Sequence, residues 1–301
     1  MLPSLQVNNS PTHCRPIGGA GPLIKICMKT ILVPTDLSPL ADGALQVAAD
    51  LARTYGARIL LVHYLPFSIA LLSADANATA IASYLNEEET ETTSELQQAA
   101  DNPIYHDIDI TPINCRDQSG LYATMTERGA DLIVLGTHGT SGWDEWLFGS
   151  NAEHIVRFAH CPVLVIKQAV TNFAPKNAIA AIDVDDTLRQ QWPPYPFDAN
   201  GNSLKQFVYV STPNDMLAAE GVHAWMDELA QAKGLTDYEL HIRQARTVES
   251  GILNYAHERQ ADLIAVYTHG HTGLRHLLQG SVAEDVLNHA SVPVLILQLK
   301  D

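Results

Sequence analysis

The sequence predicts an α/β fold made of two tandem, doubly wound parallel-sheet domains, the second of them degenerate. Three observations lead there. First, two distant segments repeat each other: Ala130-Asp131-Leu132-Ile133 runs into Thr137-His138-Gly139 and Gly149-Ser150, while Ala261-Asp262-Leu263-Ile264 runs into Thr268-His269-Gly270 and Gly280-Ser281. The offset is a constant 131, and it also carries Ser119-Gly120 onto Ser250-Gly251 and Pro162-Val163 onto Pro293-Val294. Second, so long a period means duplicated domains rather than a solenoid. Third, short runs rich in Ile, Leu and Val alternate with helix-period segments, which argues for a parallel sheet joined by helical crossovers.

In order along the chain, residues 1–27 carry Pro3, Pro11, Pro16, Gly18, Gly19, Gly21 and Pro22 and read as an irregular tail. Met28 is the expected start of the first domain, which should span 28–168. Its strands are expected at 30–35, 58–65, 105–114, 131–137 and 163–167. Helices are expected at 39–55, about 80–100, 119–129 and 150–159, the first placing Leu40, Ala44, Val47, Ala48 and Leu51 on one face. Asp36 pairs with Asp183 at a longer offset of 147, so an insertion of 16 residues is expected in the first repeat, within 66–100. A linker near 168–177 leads to the second domain, 177–301, with strands at 178–183, 206–211, 238–244, 262–267 and 294–298. Helices should lie near 215–232, 250–259 and 281–289. Trp192-Pro193-Pro194-Tyr195-Pro196 stands where a first helix would run, so one face of that sheet is expected to lack its ordinary cover.

The 34 acidic residues outnumber the 18 basic ones, a formal net charge of −16, which argues against partners held by their phosphate backbone: no nucleic acid, and no anionic membrane surface. The four cysteines, Cys14, Cys27, Cys115 and Cys161, are scattered without metal or disulfide spacing, and no apolar run spans a bilayer; a cytoplasmic protein is expected.

The chemistry-bearing segment follows the strand ending at Leu135. Gly136-x2-Gly139-x9-Gly149-Ser150 leads into a helix continuing Asn151-Ala152-Glu153-His154. Glycines admit close backbone approach, and the free N–H groups and dipole of a helix start favour phosphate. Within one domain this loop is accompanied by a strand-end aspartate, Asp36.

Together, ILVPTDLS at 31–38, this loop and CPVLVIK at 161–167 resemble the ATP-binding class of the universal stress protein family, over nearly all of 28–300 taken twice. The resemblance implies a Rossmann-like five-stranded sheet per domain and pairing of the two domains through their last strands, Val163–Ile166 facing Val294–Leu297. It implies ATP as ligand, the need for Mg²⁺ being left open. Pro34, Thr35, Asp36 and Tyr64 would hold adenine and ribose with Leu135 and Gly136, while Gly139, Gly149, Ser150 and Asn151 would hold the phosphates and His138 would add a donor. In the second repeat Tyr267 replaces the first glycine, and it is expected to crowd the ribose or phosphate path and leave that site weak or empty.

Plainer readings compete. Gly136, Gly139 and Gly149 could serve a βα turn needing positive φ, and Asp36 and Asp183 could cap helices. His269, His271 and His276 lack a partner spacing for a metal. Glu87–Glu91 reads as a solvated helix start. No phosphate-loop lysine and no local nucleophile–base set is present, so no catalytic residue is named. The function expected is an ATP-binding stress-response or regulatory protein with an unidentified protein partner, monomeric or homodimeric. A nucleotide-free scaffold and a slow ATP hydrolase remain the alternatives.

Overall fold

The structure is a computed structural model that describes residues 28–64, 78–115, 124–125, 128–137, 150–168, 170–198, 204–269 and 282–299. The first half comprises β1 (Thr30–Thr35), α1 (Pro39–Tyr55), β2 (Arg58–Tyr64), α2 (Ala78–Ala100), β3 (Ile110–Cys115), β4 (Leu132–Gly136), α3 (Ser150–Phe158) and β5 (Val163–Ile166). The second comprises β6 (Ala178–Ala181), α4 (Asp186–Gln191), β7 (Gln206–Ser211), α5 (Ala219–Lys233), β8 (Glu239–Gln244), α6 (Val248–Glu258), β9 (Leu263–His269), α7 (Val282–His289) and β10 (Val294–Leu299). All form one ten-stranded sheet in the order β3-β2-β1-β4-β5-β10-β9-β6-β7-β8.

Pairing within each half is parallel, and the two halves join by the antiparallel pair β5–β10, with Val165 opposite Val294, Leu164 opposite Leu295 and Val163 opposite Ile296. Strand residues alternate faces: Ile31, Val33, Leu164, Ile166, Leu295 and Leu297 enter the core on one side of the sheet, and Leu32, Val163, Val165, Val294 and Ile296 the core on the other. Both cores therefore run across the seam without a break. Each fully buried aliphatic side chain adds roughly 1.5–3 kcal/mol of burial.

Side chains reinforce the seam from equivalent places. Lys167 Nζ donates to Asn288 O (2.6 Å), Gln168 Nε2 donates to Ser291 O (2.8 Å), and Gln298 Nε2 donates to Val156 O. Lys167 and Gln298 are 131 residues apart, so each half lays one donor on the last carbonyls of the other half's helix. At the opposite end of the strands, Asp131 Oδ2 accepts from Lys29 N (2.8 Å) and Thr30 N (3.0 Å), and Asp262 accepts from Lys176 N (2.7 Å) and Asn177 N (3.0 Å). The repeated Ala-Asp-Leu-Ile motif thus ties down the start of the first strand in each half.

Local chemistry sets the element ends. Ser38 caps α1, its Oγ accepting from Ala41 N (3.3 Å) with Pro39 in the first turn, and Gly56 closes the helix at φ 68°. The strand expected at 105–114 begins only at Ile110, because Pro103–Tyr105 form a 3₁₀ turn capped by Asn102. Glu87–Glu91 lie inside α2 rather than in its first turn, so the helix dipole does not account for them. Most of the helix expected at 119–129 falls outside the described residues.

The second half is covered differently from what its prolines suggest. Asp185 caps a short helix, α4, and the chain beyond it packs aromatic rings against the sheet. Trp192 lies 4.7 Å from Tyr267 and 5.9 Å from Phe207 between ring centres, and Phe197 meets Tyr195 at 5.5 Å and Phe173 at 5.9 Å. Rings thus replace the missing helical turns, and that face is not bare.

Candidate functional site

In the first half the strand order runs outward from β1 to β3 on one side and from β4 to β5 on the other, so the order reverses between β1 and β4. Ligands of open parallel sheets bind beyond the carboxyl ends of strands at such a point. Here β1 pairs with β2 through Thr35 but with β4 only at Ile31 and Leu32. Pro34, which has no N–H to donate, lies past the last β1–β4 pair, where the two strands part.

Asp36 leaves the end of β1 with its side chain exposed, and its Oδ1 accepts from Ser38 N (3.0 Å). It is not a helix cap: Ser38 caps α1 and, 147 residues later, Asp185 caps α4, while Asp183 Oδ1 accepts from Val184 N (2.8 Å). Between Asp36 and the cap, Leu37 adopts φ 61° and gives its N–H to Thr35 Oγ1 (2.9 Å). A non-glycine residue in the left-handed region is strained, and it turns the chain away from β1 so that Asp36 stays at the surface. His63 Nδ1 donates to Thr35 O (2.7 Å), holding the β2 end against the same turn. Asp42, in the first turn of α1, has its carboxyl raised from the ordinary value, first by partial desolvation and second by the nearby charge of Asp36.

On the β4 side Leu135 is buried and Gly136 ends the strand. Gly136 does not have positive φ; it is needed for space. A Cβ there would lie 2.7 Å from Leu40 O and 3.1 Å from Leu40 C, so the bare backbone lets α1 start directly on β4. Its counterpart Tyr267 stands where α1 has no full counterpart, and its partly buried ring packs against Trp192. The same residue lines a cavity at the carboxyl ends of β6 and β9. Thr137, buried, donates its N–H to Ile166 O (2.9 Å), and α3 opens at Ser150 and Asn151.

Pro34, Thr35, Asp36, Leu135 and Gly136 thus lie at or just past the carboxyl ends of the adjacent strands β1 and β4. Tyr64 closes β2 opposite Cys115. His138, Gly139 and Gly149, and the histidines His271 and His276, lie outside the described residues, as do the side chains of Tyr64, Ser150, Asn151 and His269. Among the described residues no three His, Cys, Asp or Glu side chains are placed to hold a metal, and no helix is long and apolar enough to cross a membrane. Sequence reasoning passed over Ser38 and Asp42; a serine followed by proline at a helix start was the available signal for the former.

The universal stress protein family model matches residues 28–167 and again 195–298. The chain belongs to the universal stress protein family. A universal stress protein of Methanocaldococcus jannaschii is 30% identical over 145 residues, covering 46% of this chain and 82% of the relative. A second from the same organism is 25% identical over 161 residues, covering 48% and 98%. A crystallised universal stress protein from Archaeoglobus fulgidus superposes with a TM-score of 0.66 at 19% identity, covering 91% of this chain and all of that one, a likeness of fold. Two single-domain relatives each account for about half of a chain that contains the family's unit twice.

Proposed function

We propose that the first half of this universal stress protein binds an adenine nucleotide, ATP, in the crevice between β1 and β4, and that the chain regulates a stress response through the surface it presents when loaded. The observation that carries this reading is the exposed Asp36 at the end of β1, next to β4 at the point where the strand order reverses and followed by the strained Leu37. A carboxylate in that position accepts from a ribose hydroxyl or an adenine amino group. Asp36 and Asp42 repel phosphate, so the triphosphate must run away from α1 toward Gly149, Ser150 and Asn151, where a helix start offers free N–H groups and a favourable dipole. The residues thus fit a nucleotide with its sugar at β1 and its phosphates at α3, with Tyr64, His138 and Gly139 as further contacts.

ATP serves in this reading as the signal: a ligand shifts a protein's surface only by the difference in its affinity for two states. The protein partner reads that surface. With β5–β10 pairing satisfied inside the chain, a monomer suffices, and a homodimer would use other surfaces. The domain limits remain 28–168 and 177–301, and scattered cysteines support a cytoplasmic setting. The test is mass spectrometry of small molecules released on denaturing the purified protein, followed by ATP titration calorimetry. About one adenine nucleotide per chain supports the reading; no nucleotide and no binding heat would favour the scaffold alternative.

A further inference from the structure

We propose that the outer edge of β8 pairs antiparallel with β8 of a second copy of this chain, so that two molecules share one sheet. β8 ends the strand order, and no described strand lies beyond it. Glu239 N and, just past the strand, Ala245 N donate inward to β7, at Lys205 O (2.7 Å) and Ser211 O (3.1 Å). The register between them runs without a bulge, from Gln206 opposite Glu239 to Ser211 opposite Gln244. Strand alternation therefore turns His241 and Arg243 toward β7 as well, and leaves the N–H and C=O groups of Leu240, Ile242 and Gln244 facing outward.

The two ends of the sheet are treated differently. At the β3 end Ile59 N donates to Asp109 O (2.8 Å), so the odd-numbered residues face β2 and Pro112 falls among the outward ones. A proline there offers no N–H to an incoming strand, which is one way sheet edges are protected. β8 carries no proline.

The sequence of β8 complements itself. An incoming strand must set its outward residues opposite outward residues. With His241 opposite its own copy, Leu240 lies opposite Ile242 at two places, each pair exchanging two backbone hydrogen bonds, and Glu239 lies opposite Arg243 at both ends. Opposite charges directly across an antiparallel pair favour the register, and like charges oppose it. Glu239 already holds Arg259 (2.8 Å) and Arg243 already holds Glu258, so each end of the seam becomes a row of alternating charge: Arg259 and Glu239, then Arg243 and Glu258 of the second copy. Leu240 and Ile242 are partly buried at the rim of the core that holds Leu164 and Leu295, and pairing extends that core into the second molecule. The chain uses the same device internally, where β5 and β10 join antiparallel with one core running across them. A six-residue edge buries less than the roughly 1,200 Å² of a standard interface, so the dimer is a weak and reversible one.

The test is sedimentation velocity of the full chain from about 1 to about 300 μM, the span in which so small an interface associates. A shift from monomer to dimer is expected, with nothing larger. Ile242→Pro removes an outward N–H and no bond to β7, as Pro112 does on β3, and should weaken the dimer at least about tenfold. Glu239→Arg and Arg243→Glu each set like charges opposite at both ends of the seam and should weaken it about tenfold. The two reversals combined should restore it. Partly exposed ion pairs contribute little to folding, and thermal melts at the lowest concentration check that each variant is folded. A dimer indifferent to Ile242→Pro, a double reversal no better than the single ones, or assembly beyond the dimer overturns the proposal. A monomer at every concentration overturns it too, and leaves the edge to an extended peptide of another protein.

Discussion

Adding one methyl group at Gly136 tests why the two halves of this chain diverged. In Gly136→Ala the new Cβ would sit 2.7 Å from Leu40 O, 3.1 Å from Leu40 C and 3.3 Å from Ala41 N. All three are backbone atoms, so no side chain can rotate away; α1 must retreat by roughly 0.5–1 Å to regain van der Waals separation. The helix that moves carries Ala44, Val47, Ala48 and Leu51, all buried against the sheet. Overpacking of this kind costs about 1–3 kcal/mol, and the lower chain entropy of alanine in a strand returns at most about 0.5–1 kcal/mol. Urea unfolding followed by far-ultraviolet circular dichroism should show an earlier first transition, or an earlier midpoint if the halves unfold together. An unchanged curve would refute the packing argument. If ATP affinity fell with stability intact, the glycine would be there for the ligand and not for α1.

The same logic makes Tyr267→Ala costly, up to about 3 kcal/mol for a partly buried aromatic, because Trp192 loses its ring partner; urea midpoints check this, and near-neutral behaviour would mean the aromatic cover is dispensable. Asp42 binds its proton more tightly when folded than its unfolded value of 3.8 allows, so it subtracts stability at neutral pH, and that cost fades as pH falls through the folded pKa. Carbon-13 titration should show the Asp42 pKa falling part of the way in Asp36→Asn, with the portion due to burial remaining; no change would place the two carboxylates apart. Burial lowers Lys167 to about 8, so the folded state sheds this proton before the unfolded state does, and stability should rise with pH between about 8 and 10.5. Lys167→Gln, which copies Gln298 and keeps a donor for Asn288 O, should remove that rise without lowering the melting temperature at neutral pH, whereas Lys167→Met should lower it.

Regular elements were legible wherever one residue property decided them. Apolar runs marked the strands within about two residues except β3, which begins five residues late, and the face formed by Leu40, Ala44, Val47, Ala48 and Leu51 located α1 at 39–55. What escaped depended on contacts between distant residues. The prolines after Trp192 forbid a long helix but say nothing of the short one before them, and only the fold shows that Trp192, Tyr195 and Phe197 replace the helix as cover. Gly136 was marked by its place at a strand end, but its close approach to a backbone oxygen almost a hundred residues earlier in the chain is visible only in the fold. Asp131 and Asp262 were visible only as part of the repeat, and the fold shows that they bind the backbone at the far ends of the strands. Of the candidate site, the β1 and β4 strand ends were legible because glycine, proline and aspartate are decisive at a strand end. Asp42 was not, because its significance is proximity to Asp36.

The proposed ATP site makes binding depend on Asp36 in the first half and not on its counterpart Asp183. Titrating ATP into the wild type, Asp36→Ala and Asp183→Ala tests it most directly. The prediction is one ATP per chain, weakened at least about tenfold in Asp36→Ala by loss of a charge-assisted contact and unchanged in Asp183→Ala. Binding indifferent to Asp36, or abolished by the change at Asp183, would contradict it.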